Sequence, residues 1–453
     1  MSEKNNVNVS RREAILTGLF GSGWLGLRAL ATGLPIPFLV NPARADVCSL
    51  DQTKAQFIIM STSANGDPSN ANAPLTYDFA DIGHSADPTM AKTSASIAGK
   101  SYSMAKPWAD LINDAGSAVS DRICFIHHGT LNNSHTNQAK VQRLLGTISR
   151  QEMLVSYLAK QLAPCLGTIQ TSPISVGATN PGEALTFTGR TVANLSPTAL
   201  RDTLLNAAGP LTTLQSLRDK DLDRMNALIK QSGNTAQKAY LDRLALSQQE
   251  ARSISQSLLT NLSMIMNDGA TGQILAASAL VAMKVSPVIS IHLPFGGDNH
   301  TDAGLAGEAA QHVASISPLA GAAPSTTGIP YLMQKLAALG VKDQTTFMLM
   351  NVFGRTLKKN GTTGRDHWGT HHVTVLIGKP VKPGVIGGMV ASGGDYNATS
   401  IDSTTGAGGA GGDISLADSL VSVGKTIGAV VGLPTATLDA DIAQGKIIKA
   451  ALA

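Results

Sequence analysis

The chain has little charge for its size: 15% of its 453 residues are Asp, Glu, Lys or Arg, and the formal balance is +4. Most of that surplus sits at one end, because Lys4, Arg11, Arg12, Arg28 and Arg44 against Glu3 and Glu13 put +3 on residues 1–45 and leave +1 on the other 408. Without a basic field, or a basic run interleaved with aromatics, no nucleic-acid partner is expected. Cysteine is scarce: Cys48, Cys124 and Cys165 allow one disulfide and one free thiol, which excludes a disulfide framework, and there is no C-x-x-C pair. Long apolar runs are missing too. The most apolar N-terminal stretch, Leu19 to Val40, is broken by Arg28, two Pro and several Gly, so no permanent membrane span is expected.

That stretch fits an export signal better. Arg11 and Arg12 stand together just ahead of it, and Ala43, Arg44 and Ala45 close it with an A-x-A cleavage pattern. Residues 1–45 are therefore expected to be a twin-arginine signal peptide, read by the twin-arginine translocation machinery. The mature protein would then be periplasmic or secreted.

From residue 46 onward, apolar runs alternate with helical periodicity, the pattern of an α/β domain. Strands are expected at Gln56–Met60, Ile123–Ile126, Pro287–Leu293, Thr345–Met350 and Val373–Ile377. Helices are expected near Trp108–Ala115, Asn137–Leu145, Gln151–Leu162, Tyr331–Leu339 and Leu416–Val431. Between 196 and 283 the strand signal stops. Leu204, Leu211, Leu214, Leu217, Leu222, Met225, Leu228 and Ile229 recur mostly three residues or two helical turns apart, predicting a helical insertion. The segment 393–412, with seven Gly among Ser and Thr, reads as a mobile loop.

Histidine is distributed very unevenly. Seven of the ten (127, 128, 135, 300, 367, 371, 372) fall in three loops that follow predicted strands, and only His84, His292 and His312 lie elsewhere. Between Phe353 and His372 one Asp and three His sit among glycines, and Asp298 and His300 follow the strand at Pro287. Neutral imidazole and carboxylate suit zinc, manganese or iron, and glycine lets backbone close around an ion. In open α/β sheets such loops meet at the carboxyl ends of the strands, so one shared site is expected.

Asp67, Asn70 and Pro74 in the first loop, Ser134 with His135, Gly297 to His300, Phe353 to Thr356 with Asn360, Gly364 to Trp368, and Gly387 with Gly388 together resemble the DUF1501 family. That family is placed with the alkaline phosphatases and sulfatases. The resemblance implies an alkaline-phosphatase-like α/β fold, a central mostly parallel sheet flanked by helices. It implies divalent metal ions, zinc among the options, bound by Asp67, Asp298, His300, Asp366 and His367, with His371 or His372 completing the set. Ser134 would be the nucleophile at a helix start, with Thr130 and Thr136 as rivals. Arg355 and Arg365 would orient an anionic small-molecule substrate, although Arg355 could equally brace its loop. The expected activity is metal-dependent hydrolysis of phosphate or sulfate esters. Two positions depart from the family pattern: Ala64 and Asn65 stand where Gly-Gly is usual, and Val352 where Glu is usual. A missing carboxylate removes a ligand or a group that orients one, so the alternatives are a metal-binding protein without turnover, or a partner-binding role for the helical insertion.

Overall fold

The computed structural model describes residues 48, 50, 53–114, 118–168, 170–177, 186–192, 194–205, 220–221, 223–228, 230–231, 257–318, 326–359 and 363–453. The proposed signal peptide, residues 206–219 and 232–256 of the predicted helical insertion, and Asn360 lie outside them.

At the centre is an eight-stranded sheet. In chain order its strands are β1 (Phe57–Ser61), β2 (Ile123–His128), β3 (Ile174–Val176), β4 (Asn194–Leu195), β5 (Val288–Ile291), β6 (Thr345–Leu349), β7 (His372–Ile377) and β8 (Gly384–Ile386). Across the sheet they run β8-β2-β7-β6-β1-β5-β3-β4. The pairs β1–β6, β1–β5, β5–β3, β3–β4 and β2–β8 are parallel, while β7 runs against both β6 and β2. Only β7 is therefore reversed. The carboxyl ends of β1, β2, β5 and β6 and the amino end of β7 all lie at one edge, where every candidate loop emerges.

Each central strand is buried on both faces, so it reads in the sequence as an unbroken apolar run. Phe57 and Ile59 join Phe125, Phe347, Leu349 and Val375 in one core. Ile58 and Met60 join Cys124, Ile126, Met348 and Leu376 in the other. This is the two-residue alternation of a pleated strand. Helices α1 (Lys106–Asn113), α5 (Ala270–Ala282), α6 (Ala306–Ile316) and α7 (Gly328–Ala338) cover the first face. Helices α3 (Leu154–Leu166) and α8 (Leu416–Val430) cover the second. The short α2 (Gln138–Gln142) follows β2, and α4 (Pro197–Leu205), with α5, forms the described ends of the predicted insertion. Each Ile, Leu or Phe fully withdrawn from water in these layers contributes roughly 1.5–3 kcal/mol.

Local signals fix the helix ends. Gly167 closes α3 in the left-handed conformation at φ 62°. Ser415 caps α8 by accepting from the Asp418 amide, and the Asp418 carboxylate favours the positive end of the helix dipole. A disulfide joins Cys48 to Cys165 at the end of α3, and Cys124 is a buried free thiol in β2.

The glycine-rich stretch is more ordered than its composition predicts. Asp395–Ala398 pairs with Met389–Ser392 in a hairpin, and beyond it the side chains of Asp402 and Asp413 accept backbone N–H bonds from Thr404, Thr405 and Ser403. Side-chain acceptors replace the missing apolar contacts.

Candidate metal centre

Three connections bring four side chains together. His135 opens a short 3-10 turn ahead of α2, Asp298 and His300 lie in the loop after β5, and His367 sits in a two-residue ribbon, His367–Trp368 paired with Gly354–Arg355, between β6 and β7. One ligand atom from each of His135, Asp298, His300 and His367 lies within 4.8 Å of all the others.

The tautomers make this grouping chemically sharp. His135 Nδ1 lies 2.7 Å from the Ala64 carbonyl, His367 Nδ1 2.7 Å from the Asn133 carbonyl, and His300 Nδ1 2.9 Å from Asp366 Oδ1. A carbonyl or a carboxylate oxygen accepts, so each Nδ1 is the donor, and in the neutral ring that leaves each Nε2 with a lone pair. Those lone pairs converge: His300 Nε2 is 2.9 Å from His367 Nε2 and 3.4 Å from Asp298 Oδ1, and His135 Nε2 is 3.6 Å from Asp298 Oδ2. Four acceptors facing one another repel unless a positive charge sits among them. Bonds of about 2.0–2.1 Å in tetrahedral zinc geometry set ligand atoms about 3.3 Å apart, which these separations straddle. The donor set of three imidazoles and a carboxylate fits a divalent ion.

The electrostatics point the same way. Burial lowers the pKa of His367 below 6.5, favouring the neutral form a metal takes. Partial burial pushes the Asp298 carboxyl up, but the hydrogen bond and charge of Arg355 outweigh it and hold Asp298 ionised below its usual range. Arg355 is fully buried. It donates to Gly66 O at 2.7 Å, to Asn65 O, to Arg365 O at 3.2 Å and to Asp298 Oδ1 at 2.9 Å. It thereby ties the loop after β1 to the Asp298 loop.

Arg365 points away from the centre. Nε and one terminal nitrogen grip Glu308 at 2.8 and 3.1 Å, and its other N–H groups reach the carbonyls of Thr356, Leu357 and Gly83. These five bonds use every donor of the guanidinium. Glu308 is also fully buried and accepts from Asn72 and Asn299. Burial raises its pKa, and the Arg365 charge more than reverses that, leaving the carboxyl below its ordinary 4.5. Asn299 stands between Asp298 and His300, so this network sets the height of the loop that carries them.

Close backbone approach requires glycine at two points. A Cβ on Gly364 would lie 1.8 Å from Asn299 O, and one on Gly354 1.9 Å from His371 O. Phe353 lies beneath the imidazoles, stacked on His367 at 4.3 Å between centroids and edge-on to His135 at 5.1 Å.

Of the ligands implied by the resemblance, Asp298, His300 and His367 come together. Asp366 acts one bond away by orienting His300. Asp67 is outside the four-atom group; its Oδ2 lies 3.1 Å from His292 Nε2. His371 is buried below the site, with Nδ1 3.2 Å from Asn70 Nδ2 and Nε2 3.0 Å from His127 Nδ1. His372 faces His128 across the β7–β2 pair. Ser134 Oγ meets Thr136 Oγ1 at 3.0 Å, and Thr130 is buried. Val352 packs in the second core. His135 was in view only as one of the clustered histidines, and its position directly after Ser134 at a predicted helix start was the available signal. His292 gave none because it reads as part of the strand Pro287–Leu293, and Glu308 none because it belongs to no motif.

The fold and site define a class: an α/β protein with a mostly parallel sheet whose strand ends present a His/Asp group able to hold a metal ion. A family model described as "Protein of unknown function (DUF1501)" matches residues 103–404, and the chain belongs to that family. No curated protein and no solved structure matches it.

Proposed function

We propose that this is an exported metal-dependent hydrolase of phosphate or sulfate esters, its ion held by His135, Asp298, His300 and His367. The observation that carries the reading is the convergence of three proton-free Nε2 atoms and one carboxylate at a site open to solvent. A divalent ion bound there would polarise a substrate oxygen and acidify water. The protein's own part is to hold the ligands in the correct tautomers through Ala64, Asn133 and Asp366, and to keep Asp298 ionised through Arg355. The alkaline-phosphatase-like fold rests on the family resemblance, supported by the sheet order and the strand-end position of the site. Export is supported by the paired arginines of the N-terminus and by the disulfide, a bond characteristic of oxidising compartments. No helix among the described residues is long and apolar enough to cross a membrane.

A second reading, metal binding without turnover, is favoured by two specific observations. Arg365 has no donor left for an anion, and Ser134 Oγ bonds to Thr136 rather than to a group of the centre. Elemental analysis and aryl phosphate and aryl sulfate assays on the wild type and Asp298→Ala separate the two. Bound metal and turnover, both lost in the variant, support the hydrolase; metal without turnover supports the second reading; absence of metal contradicts both.

A further inference from the structure

Phe353 opens the Phe-Gly-Arg-Thr run, yet the hydrogen bonds of the site give its side chain no task. The chain reaches it by prolonging the β1–β6 pairing beyond the sheet: Met350 N donates to Ser61 O at 3.0 Å and Val352 N to Ser63 O at 3.1 Å. Phe353 therefore arrives beside the loop that follows β1. Its ring seats against Gly66, where a Cβ would lie 2.0 Å from Phe353 Cε2. Gly66 also holds φ at 65°, a conformation that suits glycine. The Phe353 ring is fully buried.

That ring meets the centre at three points. It stacks on His367 with 4.3 Å between centroids and 29° between planes, meets His135 edge-on at 5.1 Å and 67°, and carries the Arg355 guanidinium 5.2 Å from its centroid. His135 and His367 also meet each other, nearly perpendicular, at 4.5 Å. The hydrogen bond at Nδ1 restrains one point of each imidazole. The torsion that turns a histidine ring is intrinsically broad, so that bond leaves the ring plane, and with it the direction of the Nε2 lone pair, open to drift. A functional constellation needs its groups held within roughly 0.5 Å and 10–20°. A flat, buried face pressed against both rings supplies that restraint, and a flexible aliphatic side chain does not.

We infer that Phe353 is a positioning residue of the metal centre: its aromatic face sets the planes of His135 and His367, and through them the preference of the site for an ion held tetrahedrally. The inference rests on the four-ligand metal reading above and is independent of turnover. What the position requires is the shape of the ring rather than its apolar volume. Zinc accepts a tetrahedron of nitrogen and oxygen ligands, whereas manganese suits octahedral, oxygen-rich coordination. Imidazoles held on a rigid floor favour the first, and loosened imidazoles give up that advantage.

The test compares the full-length wild type with Phe353→Leu and Phe353→Met, two apolar replacements without a ring face. Phe347→Leu, in the core on the other side of the sheet, is the control for general loosening. Zinc and manganese affinities are measured by competition with a chelator, and the visible spectrum of the cobalt-loaded protein reports the ligand geometry. Phe347→Leu should destabilise the metal-free protein yet keep wild-type zinc affinity. Both Phe353 variants should lose zinc affinity about 10–100-fold, the usual scale for groups that orient ligands. Their manganese affinity should change less, and the intense cobalt bands of a tetrahedral site should weaken. Wild-type zinc affinity with an unchanged cobalt spectrum in either Phe353 variant would overturn the inference. Equal zinc losses in Phe347→Leu and the Phe353 variants would overturn it too, by reducing the ring to ordinary core packing. A wild type that takes up none of the three ions would instead defeat the metal-centre reading itself, and this role with it.

Discussion

Replacing Glu308 by Gln decides what Arg365 is for. The Glu308 carboxylate accepts four bonds: Oε1 from Asn72 at 2.6 Å and Arg365 at 3.1 Å, Oε2 from Arg365 at 2.8 Å and Asn299 at 2.8 Å. Gln keeps the shape but turns two of those acceptor positions into an NH2 facing donors. It also removes the carboxylate paired with Arg365, whose guanidinium is itself fully buried. Breaking one partner of a buried ion pair costs about 3–5 kcal/mol, because the surviving charge has no water to turn to. Urea unfolding of Glu308→Gln should show a loss in that range. Asn299 is released by the same change, so metal affinity should fall as well. Arg365→Met combined with Glu308→Gln should cost less than the two single changes added together, because the stranded charge is gone. The reasoning is refuted if Glu308→Gln loses less than about 1 kcal/mol, or if Arg365→Met weakens substrate binding while leaving stability intact. The pH dependence has a definite sign. The folded Glu308 carboxyl lies below its ordinary 4.5, so its contribution is complete above that pH and is lost as pH falls through the folded value.

The buried histidines predict acid lability from the other direction. Burial lowers His127 to about 3 and His128 to about 4 from 6.5, so the unfolded chain takes up protons first and stability declines as pH falls from about 6.5 toward 4. For His128 alone the drop is worth roughly 3 kcal/mol, measurable by circular dichroism on metal-free protein across that window. Gly364→Ala should push the two ligand loops apart and weaken metal binding at least about tenfold by competition with a chelator, since even a 1 Å misplacement at a site is costly. Reduction of the disulfide, whose cysteines are 117 residues apart, should lower stability by about 4–5 kcal/mol on the chain-entropy account. In the native oxidised protein a thiol reagent should find nothing to react with, because burial raises the Cys124 thiol to about 12.

Much of the scaffold could be read from the sequence, because strands buried on both faces announce themselves as apolar runs: Phe57 to Ser61, Ile123 to Ile126 and Thr345 to Leu349 stand where the runs predicted them. The reversed direction of β7 could not be read that way, since periodicity carries no strand polarity. The gathering of histidines after strands pointed to one edge of the sheet. It did not show which of them would turn inward, and that is decided by tertiary acceptors: Ala64 O and Asn133 O orient His135 and His367, while Asn70 and His127 engage His371 in the interior. The arginines were ambiguous for the same reason. A guanidinium near a motif can bind substrate or brace a loop, and only the partners of Arg365 assign it to Glu308. The ordering of the glycine-rich stretch depends on carboxylates at Asp402 and Asp413 that composition alone does not weigh.

X-ray absorption at the edge of whatever metal accompanies the purified protein tests the central claim most directly. The account predicts a first coordination sphere with three imidazole nitrogens and at least one oxygen, at about 2.0–2.1 Å for zinc, that collapses in His300→Ala. A protein that carries no metal, or a coordination sphere without imidazole, would contradict it.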